Sequence, residues 1–410
     1  MKLFCALWLG SLVLGAQSQP LDLLAVHQRA LQAAPSLRGA DAALSEAAAR
    51  QLGARAQIGP QLSAQWQHGG GNAPLSHGGL QLNQPLVDLP RWRQWQAEGQ
   101  RLQASTLLRA DAEQTLRARS AALFVQLQAA RATQRVQAAL LDAYRQEAQR
   151  MQVRHREGLA AAVDWRQSES FMLLSQAQAR GGVQQERALR QALVAHAGAP
   201  DLAEAALRTL QPLALPAQTP ATEGNAPRWR AQAHEREARE AELRASQAAL
   251  LPTLALQAQA QRYDRGQRRL SHDWQLQLRI PLWDSGSRRA NEQAARSRVQ
   301  SAQAELELLA RELAREQATQ TERLAAASEQ HATAQQGLAG AQLAVQAMRI
   351  GQEQGSRSTG DVLLAIQTEG QLRLLAVQAQ LNAWLAWIDA LTAQGQFNEE
   401  AMLRLNAALE

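Results

Sequence analysis

The chain has 410 residues, a formal charge of +6 and 46% apolar residues, yet only 4% are aromatic. That length ordinarily gives two or three globular domains, but Ala leads the apolar set and Gln, Arg and Glu fill most of the remainder, a bias of long, closely packed helices rather than of a thick mixed core. Charges alternate in sign along helical stretches such as 228–242 and 311–316, the pattern of a solvated face, which argues against nucleic acid as a partner.

A targeting segment comes first. Lys2 precedes an apolar run over residues 3–14, and Ala16 and Ser18 place small side chains where a signal peptidase reads. Residues 1–18 are therefore a predicted signal peptide, too short to span a membrane as a helix. Cys5 is the only cysteine and leaves with it. The mature chain is expected to hold no disulfide, thiol nucleophile, cysteine metal site or N-terminal lipid. Export without disulfides fits a bacterial envelope.

The first repeat, residues 19–199, begins with a helical period through Leu24, Leu31, Leu37, Leu44 and Leu52, interrupted near Pro35 and stopped by Gly59-Pro60. Leu62, Ala64 and Trp66 then alternate with polar residues. After a Gly-rich turn Leu80, Leu82 and Leu86 do the same, which predicts a hairpin over about 60–87. A proline-free helix runs from 91 to about 152, breaks at Gly158 in a tip over about 154–163, and is followed by a second helix to 197. Residues 200–226 are proline-rich and read as a linker.

The same order returns over 227–398, with a hairpin over about 252–283, a tip over about 351–361 and a tail over 399–410. Pro60 and Pro252 are 192 apart, Leu80 and Leu276 are 196 apart, as are Pro85 and Pro281, and Gly158 and Gly355 are 197 apart, as are Asp164 and Asp361. An internal duplication is the economical explanation. In the second long helix Val299, Ala302, Leu306, Leu309 and Leu313 form a coiled-coil seam. It resumes eleven residues later at Leu324 and continues to Met348, a step that relaxes the left-handed supercoil.

Within the second hairpin, apolar residues fill every even position from Trp274 to Leu282. One such strand fits a half-buried soluble sheet as well as a tilted membrane strand of about ten residues. Its recurrence in both halves favours the membrane. Four strands per chain cannot close, and open edges cannot sit in lipid, so a membrane role demands a symmetric oligomer; three copies would supply an even, closable set. Leu62, Leu80, Leu82, Leu254, Leu256, Leu276, Leu278 and Ile280 are then expected to face lipid. Trp66, Trp274 and Trp283 belong near the interfaces, core packing being the alternative.

Signal, duplicated half, paired Pro60 and Pro252, and Gly-containing breaks followed by Asp together resemble the TolC-type outer-membrane efflux family. Arg154-His155-Arg156-Glu157-Gly158-Leu159 with Asp164 resembles that family's first periplasmic tip, and 355–363 its second. The resemblance implies an α+β membrane protein. Three chains would form a twelve-strand transmembrane β-barrel and a long α-helical coiled-coil barrel reaching into the periplasm. It implies the outer membrane of a Gram-negative bacterium and a passive exit duct for efflux or type I secretion. A periplasmic adaptor (membrane fusion) protein and an inner-membrane pump of RND, ABC or MFS type would open it. Arg154, Gly158, Leu159, Gly355, Ser356 and Ser358 become candidates for adaptor docking, plain turn geometry being the alternative. Asp164 and Asp361 become candidates for a carboxylate ring at the entrance, helix capping being the alternative. Ala161 stands where the family often has Ser or Thr, and Leu364 where well-known members carry a second acid.

The sequence contains no Gly-x-Ser-x-Gly, His-Glu-x-x-His or P-loop, so no enzyme activity is expected. No two histidines make an i,i+4 pair, and neither a metal site nor a cofactor is assigned; His68, His77 and His272 near the turns read as solvated loop residues. A soluble periplasmic coiled-coil scaffold is the remaining alternative.

Overall fold

A computed structural model describes residues 22–68, 76–200, 226–264 and 268–409; the expected signal peptide and linker residues 201–225 lie outside them. Helices α1 (Leu23–Ala33) and α2 (Pro35–Ala56) lead into strands β1 (Gln61–His68) and β2 (Ser76–Val87). Then come α3 (Leu89–Arg156), α4 (Ala162–Ala197), α5 (Pro227–Ala248), β3 (Thr253–Asp264), β4 (Arg268–Arg279), α6 (Ser287–Glu353), α7 (Thr359–Ala393) and α8 (Glu399–Leu409). With 68 and 67 residues, α3 and α6 are each about 100 Å long at 1.5 Å per residue.

Ala34 separates α1 from α2 because the proline after it forces an extended ψ of 118°, while Pro35 opens α2 where a missing N–H costs nothing. The duplication repeats its joints as well as its elements. At the start of α3 Asp88 accepts from the Arg91 amide at 3.0 Å. At the start of α6 Asp284 accepts from the amide and the Nε of Arg288 at 2.9 and 2.6 Å. Each carboxylate caps the helix that leaves the sheet and complements its dipole.

The first half of α3 packs on α2 and α5, where Ala97 meets Ala238 and Ala241 and Arg109 pairs with Asp41. Its second half packs on α4 and α7: Tyr144 lies 5.5 Å from Phe171, and a Cβ at Gly370 would collide with Leu140. The α6 seam runs along α5 in its first half and along α7 in its second, with Ala302, Leu313, Leu324, Ala327, Ala334, Ala341 and Val345 buried. Between Leu313 and Leu324 the 3-4 spacing does not lapse; Gln317 and Gln320 occupy it, half-buried, and Gln317 Nε2 donates to the Ala393 carbonyl at 3.1 Å. The step in the apolar pattern is thus a polar clasp where α7 ends.

Midway along the long helices, α1, α3, α4, α6, α7 and α8 converge on one core. Trp384, Trp387 and Phe397 form an edge-to-face chain at 5.9 and 6.2 Å, and Leu23, Met402 and Leu405 close it. The C-terminal segment is therefore a core helix as well as a tail. At the same level Ser120, fully buried, reaches His196 Nε2 at 2.9 Å and His27 Nδ1 at 3.5 Å. Burial, helped by Arg117, pushes His27 down to about 4. A depressed histidine favours the neutral folded form, so its contribution is intact above the unfolded value near 6.5 and is lost as pH falls towards the folded one. Thermal melts should show a loss on the order of 3 kcal/mol per chain on going from pH 7 to pH 4. His27→Gln should flatten that slope.

The strands form one antiparallel sheet of order β1-β2-β3-β4. The two hairpins join through β2 and β3, with a bulge between Pro85 and Val87. Among the described residues, neither β1 nor β4 has a second neighbour. One sequence expectation needs correcting. Ile280 does not belong to a strand: β4 ends at Arg279, because Pro281 has no N–H to extend the ladder.

Candidate functional site

The register sorts the side chains of the sheet onto two faces. Leu62–Leu82–Ala258–Trp274 makes one cross-strand row, Ala64–Leu80–Ala260–His272 the next, and Leu256–Leu276 and Leu254–Leu278 two more. Apart from Gln84, Arg262 and His272 the described side chains of this face are apolar, and much of it is open: Leu62 is 69% exposed, Trp274 75% and Leu276 57%. Trp66 lies across Gly78, where a Cβ would run into its ring, so glycine is required there. Leu82, Leu254 and Leu256 on the inner strands are half-buried. Ile280, Leu282 and Trp283 continue the exposed apolar surface past β4, and Trp92, edge-on to Trp95 at 5.0 Å, adds to the exposed apolar groups at the start of α3.

The opposite face is a wall of amides. Gln61–Asn83–Gln257–Gln275 form one row and Ser63–Gln81–Gln259–Asp273 the next. Gln275 donates to Gln257 at 3.0 Å, Gln257 to Gln277 at 2.7 Å and Gln259 to the Asp273 carboxylate at 2.5 Å. Glutamine can donate and accept at once, so it links rows without adding charge.

At the far ends of the long helices sit two tips. In the first, Gly158 adopts φ +74° and the Leu159 amide donates to the Arg154 carbonyl at 2.8 Å, closing the end of α3. Leu159 and Val163 are exposed, His155 stacks on Trp165 at 5.7 Å, and Arg166 lies 4.3 Å over the same indole. In the second, Gly355 has φ +77°, and Ser356 donates through both its amide and its hydroxyl to the Gly351 carbonyl, at 2.8 and 3.0 Å. Ser358 and Asp361 form a complete capping box, with 2.9 Å from the Ser358 amide to Oδ2 and 3.2 Å from the Asp361 amide to the serine hydroxyl. The hydrogen bonds from Ser358 hold the Asp361 carboxyl below the usual carboxylate range, with Arg357 assisting.

Asp164 occupies the same third position of α4 that Asp361 holds in α7, but its N-cap is Ala161, which offers no side-chain oxygen. Ala161→Ser should complete the missing box and stabilise the first turn of α4 by about 1 kcal/mol, read as slower amide exchange there. The sequence reading missed the tie between the tips. Glu147, buried and 3.4 Å from Arg150, accepts from Gln352 Nε2 at 3.3 Å, and Gln352 also reaches Thr359 Oγ1 at 3.4 Å. Glu147 and Gln352 lie 205 residues apart, with no local motif to announce them.

The profile of the outer membrane efflux protein family matches residues 26–199 and 220–395, one span in each repeat. The chain belongs to that family. A protease secretion protein of Dickeya chrysanthemi, PrtF, is 28% identical over 359 residues, covering 80% of this chain and 74% of its own. Among solved structures, the fold is shared with the transmembrane channel protein CusC at a TM-score of 0.82 and 19% identity, covering 91% of this chain and 92% of that one. The outer membrane protein VceC of Vibrio cholerae matches at 0.79 and 19% identity, over 91% and 96% of the two chains. This member is thus an outer-membrane channel component with a helical barrel and a β-domain, not an enzyme. No described helix is long and apolar enough to cross a membrane.

Proposed function

We propose that three copies of this chain form the passive exit duct of a tripartite efflux or type I secretion system. The observation that carries this reading is a sheet with one apolar face, one amide face and, among the described residues, two unpaired edges. Pairing β4 of one copy with β1 of the next gives every backbone group a partner and turns leucines to lipid, amides to water. Leu62, Leu80, Leu82, Leu254, Leu256, Leu276 and Leu278 form the lipid surface. Trp66, near the hairpin turn, lies toward its outer rim, Trp274 sits mid-strand in the row of Leu62, and Trp283 with Trp92 belongs to the inner rim, where amphipathic rings are favoured.

The tips take the adaptor. Leu159 and the turn residues Gly158, Gly355 and Ser356 present an exposed, rigidly closed surface; Arg154 and Ser358 hold that surface from behind by backbone and capping bonds. An inner-membrane pump supplies the energy, and the duct opens when docking parts the tips. Asp361 serves both roles considered for it. Its carboxylate caps α7 and remains exposed and ionised, placing a negative charge at the entrance; Asp164 adds a second.

Purified protein in detergent should run as a stable trimer and open conducting pores in planar bilayers. A monomeric, water-soluble mature chain would sink the reading. In the same bilayers Asp361→Ala should lower cation preference while the trimer persists, with only the first turn of α7 loosened by the lost cap. Unchanged selectivity would leave Asp361 as a cap alone.

A further inference from the structure

The amide wall is nearly free of charge, and its exceptions have a fixed order. Among the described side chains of that face, only Asp273 and Arg279 are charged; both lie on β4 and both are exposed. Asp273 stands on the row of Gln259, and Arg279 at the tunnel end of the strand, opposite Thr253. Six residues separate them, about 20 Å along a strand. That exceeds the screening length of about 8 Å at physiological salt, so neither cancels the other. Asp273 has Gln259 as its hydrogen-bond donor, a neutral amide that brings no countercharge. The rows on either side of it are neutral, Gln261 with Ser271 towards the hairpin turn and Gln257 with Gln275 towards the tunnel.

We propose that Asp273 sets the charge preference of the outer half of the duct. Three copies make a ring of carboxylates in an otherwise neutral channel section, favouring cationic or neutral solutes on the way out. The Arg279 ring at the tunnel end makes a separate, opposite zone. This is a second selectivity element, distant from the carboxylates at the tips. It rests on the reading that the amide face lines the lumen.

The test reads the local potential directly, so the narrow tips in series do not mask it. Cys5 precedes the expected mature start, so Gln275→Cys introduces a unique thiol on the amide face, about 7 Å along β4 from Asp273. The purified trimer in lipid vesicles is treated from the outer side with a cationic and an anionic methanethiosulfonate. The ratio of their rates is compared with and without Asp273→Asn, an isosteric change at an exposed position. At low salt the cation-to-anion ratio should fall about fourfold in the Asp273→Asn background, and the difference should vanish in molar salt. Arg279→Gln, about 13 Å along β4 from the thiol, should move that ratio the other way, upward, and by less. A ratio unaffected by Asp273→Asn, or a change that persists in molar salt, overturns the assignment of Asp273 alone. A thiol that reacts with neither reagent in an intact trimer overturns the lumen reading beneath it.

Discussion

Arginine in place of Leu276 should abolish the assembled barrel, while arginine at the adjacent Gln275 should be accepted. The two positions are neighbours on β4 with opposite faces: Leu276 belongs to the exposed apolar row with Leu256, Gln275 to the amide row with Gln257. A cationic side chain on the lipid face of a barrel costs about 2–4 kcal/mol near the midplane. Threefold symmetry repeats the penalty in each copy, which is comparable with the whole stability of an ordinary fold. At Gln275 the new charge meets water. Outer-membrane fractions run without boiling should show a trimer band for Gln275→Arg and none for Leu276→Arg. Equal amounts of trimer for both would mean that the faces have been assigned wrongly.

Trp384→Ala should be the most damaging single truncation in the helical part. Its indole is 1% exposed and packs edge-on against Trp387 at the level where six helices meet. Removing a buried tryptophan costs about 3–5 kcal/mol, because the transfer energy is lost and a cavity remains. The helix α8 cannot relax into the gap, since it is itself wedged there by Met402 and Leu405. Trimer melting should move down by many degrees, and protease should cut the middle of α3 and α6 before the barrel is affected. Trp384→Phe should recover much of the loss, because a ring still fills most of the space.

Much of this architecture was legible in the sequence because its elements are long and strictly periodic. The alternation from Trp274 needed only its partner 196 residues earlier to stand out, since a one-residue error would have turned every leucine to the wrong face. The end of that strand was misread for a physical reason. The apolar alternation continues through Ile280 and Leu282, but the ladder stops at Pro281, because side-chain surroundings and backbone pairing obey different limits. Gln317 and Gln320 looked like an interruption of the seam, although they hold its geometry with polar groups. The core role of α8 and the tie from Glu147 to Gln352 depend on residues distant in sequence, so no local pattern exposes them. Of the tip residues, Ser358 and Asp361 carried a readable signal, a serine three places before an acid at a helix start.

The free edges of β1 and β4 also govern how the channel comes into being. Among its described residues a single chain carries two unpaired strand borders beside a greasy surface, the combination that drives proteins to stick to one another indiscriminately. It has no finished form of its own to wait in. Insertion must therefore accompany association, and the yield of channels should climb more steeply than the supply of chains. Slow, evenly spaced delivery across the inner membrane would favour leftover monomer for degradation, whereas bursts of synthesis would favour complete rings.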